Sequence, residues 1–214
     1  MKQLPQPRKM PRQARSQALV EAILEATARV LAERGYAGTN TNLVAERAGV
    51  SVGSVYQYFP NKDSLVTALH ERHAAQMSNA IECVLSASQP RSLREHVQAM
   101  VRASLAAHRV QPELHRVLER EFPFFDAPKD ESPANAQIFQ RVRRLLEDHC
   151  HQIAPPSRDL ATWIVLQTME SLVHSAVIDA PQRFTADAMD REIVAVLMGY
   201  LEGATTSAAA EVQA

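Results

Sequence analysis

Between Thr39 and Phe59 the chain carries side chains suited to reading another molecule rather than transforming one. If residues 52–59 are a short helix, Gly53, Ser54, Tyr56, Gln57 and Tyr58 are its small or hydrogen-bonding positions. Ser and Gln match base edges, tyrosine hydroxyls suit phosphate oxygens, and glycine lets the backbone approach closely. Residues 42–48 precede them as a second short helix, with Gly49-Val50-Ser51 between. Gly49 permits the positive φ of a tight turn, and Ser51 is placed to cap the helix over 52–59. Two short helices joined this way describe a helix-turn-helix over about 39–59, whose second helix fits a DNA major groove. The same pattern also describes a plain corner in a helical ligand-binding or enzyme domain, and pattern alone does not separate the two.

Other clusters carry less. His149, Cys150 and His151 are adjacent, so a helix points them in different directions and they share no metal. His70 and His73 are spaced i,i+3, a chelating interval, but without further ligands a solvated helix face is the simpler reading. Cys83 and Cys150 are too few for a disulfide framework or an all-thiolate zinc site, and they read as buried packing. The 214 residues hold no Gly-rich phosphate loop opening from a strand, no nucleophile elbow and no His-Glu-x-x-His. No enzyme, metal or cofactor is expected. Glu170 and His174 are i,i+4 on one face of an otherwise apolar stretch that also holds Gln167. They pair with each other at an edge, line a pocket, or sit at a subunit seam.

The elements that position these residues are helical. Apolar residues make up 46% and charged residues 22%, enough for a core. Alternating β-branched runs are absent, and proline-punctuated Ala/Leu/Val/Glu/Arg stretches dominate, which predicts an all-α chain of about nine helices. Val20, Ile23, Leu24, Thr27, Val30 and Leu31 form a 3.6-period stripe over about 16–34, with Gly35 as the stop. Asn61 can cap a fourth helix reaching about residue 88, with further helices near 92–109, 112–121, 134–151, 157–179 and 185–203. Residues 122–133 are the one long loop. Net charge is -1, but residues 1–70 carry nine Lys/Arg against five Asp/Glu, and the remainder 14 against 19. A basic module precedes an acidic one. Residues 1–15, with five basic residues, three prolines and no acid, read as a flexible basic arm. No apolar run approaches a membrane span and the start has no apolar leader, so a soluble cytoplasmic protein is expected.

Resemblance sharpens the helix-turn-helix. The runs from Gly35 to Ala45, from Ala48 to Phe59 and Asn61-Lys62-Asp63-Ser64-Leu65 resemble the N-terminal DNA-binding domain of TetR-family transcriptional regulators, over about 12–77. Asn40 stands where the family usually has a second Thr, and Asn42 where it often has a basic residue. Both departures bear on which operator is read. The resemblance implies a DNA-binding domain over 16–76 and a helical effector-binding and dimerisation domain over 77–214. Thr39 would cap the second helix, with Thr41 and Asn42 on its first turn near phosphate or a base edge. Gly53 would allow close approach, Ser54 and Gln57 would read bases, and Tyr56, Tyr58 and Lys62 would hold phosphates. Arg12 and Arg15 would reach a neighbouring minor groove or the backbone. Val55 and Phe59 are core.

A ligand-responsive homodimeric repressor on a palindromic double-stranded operator is the expected function, released by a small molecule; a DNA-binding activator is the alternative within the family. The dimer is expected through about 157–179 and 185–203, from Leu160, Trp163, Ile164 and Val177 with Met189, Ile193, Val196, Leu197 and Tyr200. Effector contacts are expected among Met77, Met100, Phe122, Phe125, Gln167, Glu170 and His174, with Phe122, Phe124 and Phe125 as an aromatic lid.

Overall fold

The computed structural model describes residues 7, 13–87, 91–121, 133–179 and 184–203. Most of the basic arm, Arg12 included, and the 122–132 segment with Phe122, Phe124 and Phe125 lie outside the described residues. Among the described residues there are nine α-helices and no strand. They are α1 (Ala14–Gly38), α2 (Thr41–Ala48), α3 (Val52–Tyr58), α4 (Lys62–Leu85), α5 (Leu93–His108), α6 (Pro112–Arg120), α7 (Pro133–Asp148), α8 (Arg158–Ile178) and α9 (Ala186–Glu202). None of these is long and apolar enough to cross a membrane.

The chain divides into two compact units, with the division falling inside α4. The first takes residues 1–76 and 111–128, so α6 groups with the N-terminal helices although it lies well beyond them in sequence. Its core is the apolar stripe of α1 (Ile23, Leu24, Val30, Leu31) closed by Val44, Val55, Phe59, Leu65, Leu69, Leu114 and Leu118. The second takes 77–110 and 129–214. There Val97, Met100 and Val101 of α5, Val142 and Leu146 of α7, Val165 and Val173 of α8, and Ile193 and Leu197 of α9 interdigitate.

Helix ends obey local chemistry. Gly35 sits at φ 66°, so regular α1 geometry breaks where the sequence places its stop, and three further residues form a short extension. Ser92 and Glu95 form a reciprocal capping box on α5, and Ser157 and Thr185 cap α8 and α9 through side-chain oxygens. Two expectations are corrected. Cys83 and Cys150 are exposed rather than packed, because each falls on the solvent side of its element. His73 is half-buried, and its Nε2 lies 2.7 Å from Nδ1 of His115 in α6, so it does not belong to a solvated face.

Leu69 is fully buried in the first unit whereas Val110 is 76% exposed. Leu69→Ala is expected to lower unfolding free energy by about 2–5 kcal/mol, and Val110→Ala to change it by less than about 0.5 kcal/mol. Urea titration monitored by circular dichroism checks both.

Candidate nucleic-acid interface

Short helices are built here by their caps. Asn40 Oδ1 accepts the Leu43 amide at 2.9 Å and opens α2. Gly49 closes α2 in the left-handed region at φ 68°, its N–H bonding back to Glu46 O at 3.1 Å while the Val50 amide reaches Ala45 O at 3.0 Å. Ser51 Oγ then accepts the Ser54 amide at 3.0 Å and starts α3. Thr41 and Tyr56 join the two helices through their hydroxyls at 3.1 Å. Arg47 of α2 grips Glu33 of α1 with two bonds of 2.6 and 2.7 Å. That contact holds the Glu33 carboxyl below its ordinary range and the Arg47 guanidinium above its own, chiefly through the hydrogen bonds themselves.

α3 has two faces. Val55, Tyr58 and Phe59 are buried, while Gly53, Tyr56 and Gln57 are exposed and Ser54 is half-exposed. Asn42 on α2 is exposed beside them, and Arg15 is exposed on the first turn of α1. An open groove runs between the start of α1 and the α2–α3 turn, with Arg15, Ser16, Val50, Ser51 and Ser54 on its walls.

Four DNA-contact expectations meet a different placement. Thr39 is 2% exposed and donates its hydroxyl to Gly35 O at 2.7 Å, so it closes the break after α1, and the cap belongs to Asn40. Tyr58 is 4% exposed and packs its ring into the core, so it is a structural residue rather than a phosphate ligand. Thr41 is also buried, its hydroxyl spent on Tyr56. Lys62 does open α4, but its ammonium donates to Tyr36 O at 3.1 Å and lies 4.0 Å over the Tyr36 ring.

Tyr36 is the residue that sequence reasoning did not single out. Its N–H donates to Glu121 Oε2 at 2.9 Å, its carbonyl accepts from Lys62, and its hydroxyl donates to Asp63 Oδ1 at 2.5 Å. These bonds and the Lys62 ammonium over the ring tie the end of α1 to the start of α4 and to the residue just past α6. Glycine precedes it for a reason. A Cβ on Gly35 would stand 2.6 Å from Glu121 Oε2, and the φ there is already unfavourable for any other residue.

The expected effector residues that are described, Met77, Met100, Gln167, Glu170 and His174, scatter within the second unit. Met100 is 1% exposed and fills the core, Gln167 is exposed, and Glu170 and His174 are half-buried. The His174 ring faces His108, with centroids 5.0 Å apart. Met77 is half-buried on α4.

Burial, then the hydrogen bond and charge of Asp63, push the Tyr36 phenol up from 10.0 to about 12. A proton held more tightly in the folded state stabilises the fold at pH below 10, and that contribution is lost as pH rises from 10 through about 12. Tyr36 is expected to ionise above the ordinary tyrosine value, at about 12, in an absorbance titration at alkaline pH. Asp63→Asn should bring that ionisation down, and Tyr36→Phe should remove it.

Comparison with known proteins gives consistent matches. Residues 23–69 match the family described as bacterial regulatory proteins, tetR family, and residues 92–201 match the tetracyclin repressor-like C-terminal domain. The chain is 37% identical over 60 residues to the HTH-type transcriptional regulator YvkB of Bacillus subtilis, covering 28% of this chain and 32% of that protein. It is 33% identical over 106 residues to the HTH-type transcriptional repressor KstR of Mycolicibacterium smegmatis, covering 49% of this chain and 50% of that protein. The chain thus spans a third to a half of the length of these curated relatives. The fold is similar to that of the fatty acid degradation regulator FadR from Bacillus halodurans, with a TM-score of 0.66 at 17% identity over 89% of this chain and 97% of that one. With one family match on the helix-turn-helix and a second spanning more than half of the sequence, the chain belongs to the TetR family.

Proposed function

We propose that this protein is a homodimeric transcriptional repressor that binds a palindromic operator and leaves it when a small molecule occupies its second unit. The observation that carries the DNA-binding part is the outer face of α3. Gly53 is exposed, and a Cβ there would meet only Ser51 Oγ at 3.7 Å, an ordinary contact. Nothing among the described residues requires glycine at that position, whereas a base edge or phosphate approaching α3 would. Gln57 and Ser54 flank it as base readers, Tyr56 and Asn42 stand at its edges, and Arg15 supplies positive charge. Lys62 acts on DNA through Tyr36 rather than by direct contact.

The outer surfaces of α8 and α9 support the dimer. Leu160 is 55% and Trp163 50% exposed on α8, and Val196 is 51% exposed on α9. Gly199, one turn after Val196, has open space around its Cα, which lets another helix come close. Ile193 and Leu197, expected at the seam, are buried in the chain's own core instead. Two recognition helices per dimer match two successive major grooves about 34 Å apart. An effector preferring one conformation of the second unit would act through α4, which continues from one unit into the other, and change that separation.

Binding to duplex DNA is expected to fall steeply with salt. Gln57→Ala should relax preference at one base pair per half-site, worth about 1–3 kcal/mol, while Arg15→Ala should weaken all sequences alike. Fluorescence anisotropy over a salt series and a panel of single-site operators reads both; binding that ignores salt and sequence would overturn the proposal. Trp163→Glu should sediment as a monomer at micromolar concentration and lose operator affinity. A parent protein that is itself monomeric would remove the dimer.

A further inference from the structure

Two imidazoles meet in the second unit at a place the DNA-binding face does not use. His108 ends α5 and is 4% exposed, and His174 is half-buried on α8. Their rings are tilted by 54° with centroids 5.0 Å apart, and their ligand nitrogens lie within 4.8 Å of each other. His108 Nδ1 is 2.7 Å from Ser104 O. A carbonyl only accepts, so Nδ1 bears the proton and the neutral ring keeps its lone pair on Nε2. Anchoring one ring nitrogen on a backbone carbonyl is the usual way a metal-ligating histidine is held in one tautomer and aimed. Glu170, one turn before His174 on the same face of α8, adds negative charge to that side of the helix.

We propose that His108 and His174 form a binding site for a borderline divalent cation of the zinc, cobalt or nickel class. Each histidine supplies one nitrogen, and water completes the shell. Imidazole ligands favour these ions over magnesium and calcium, which take oxygen donors. Zinc sits about 2.0–2.1 Å from each nitrogen, so nitrogens already within 4.8 Å need only small side-chain rotations to share it. The ion would cross-link α5 and α8 and stiffen the second unit. The site stands independently of the DNA-binding proposal.

The test uses the full chain, stripped with chelator and dialysed. Zn²⁺ is titrated by calorimetry and Co²⁺ by visible absorption, with thermal unfolding recorded alongside. One equivalent per chain is expected, with d–d bands in the cobalt form and a raised Tm. His174→Ala and His108→Gln should each weaken binding at least tenfold, while His151→Ala, at an exposed histidine, should leave it unchanged. Circular dichroism verifies that each variant is folded, and His174→Gln replaces His174→Ala if that variant is not. Absence of saturable binding, equal affinity in the folded His174 and His108 variants, or loss on His151→Ala would each overturn the site.

Discussion

The first unit depends on what is fastened to Tyr36. Glu121 takes its N–H, Lys62 takes its carbonyl and covers its ring, and Asp63 takes its hydroxyl. Bonds to charged partners contribute about 1.5–3 kcal/mol each where they are shielded from water, and the cation–π contact about 0.5–1 kcal/mol. More important than the sum is the geometry. The chain leaves α1 through a glycine at φ 66° and must enter α2 within a few residues. Without fixed partners that segment would have many conformations, and the direction of α2 would vary with it.

Everything proposed for DNA binding stands on that direction. α3 has seven residues and is far too short to be stable alone. Its place comes from burying Val55, Tyr58 and Phe59 and from the Thr41–Tyr56 contact with α2. α2 is in turn clamped to α1 by Arg47 and Glu33. The exposed residues of α3 therefore inherit their aim from a chain of packed contacts that ends at Tyr36. Because Glu121 lies just past α6, a shift of α6 would reach this chain directly, which gives a physical reason for α6 to group with the N-terminal helices.

Much of this architecture is legible in the sequence. The apolar stripe of α1, Gly35, Gly49 and the Ser51 cap are local signals, and local chemistry sets helix ends. The two faces of α3 are only partly legible: Val55 and Phe59 read correctly as core, while Tyr58 does not. A seven-residue helix has too few turns to fix its phase, and a tyrosine suits either face. Thr39 and Asn40 exchange roles because both are capping residues and one position decides between them. Lys62 reads as a phosphate ligand, yet its partner Tyr36 lies 26 residues away. Pairings such as Tyr36 with Glu121 and His73 with His115 join positions 85 and 42 apart in sequence. No local pattern records such contacts. In the second unit, helix number and approximate length are readable, but which side of α9 faces its own core is not, since Ile193 and Val196 are equally apolar.

Selection of bound duplexes from a random pool tests the reading of this protein as a dimeric DNA-binding regulator most directly. Full-length protein without added ligand should enrich a sequence with twofold symmetry, its half-sites spaced to face two successive major grooves. No enrichment over the starting pool, or enrichment of a single asymmetric site, would contradict it.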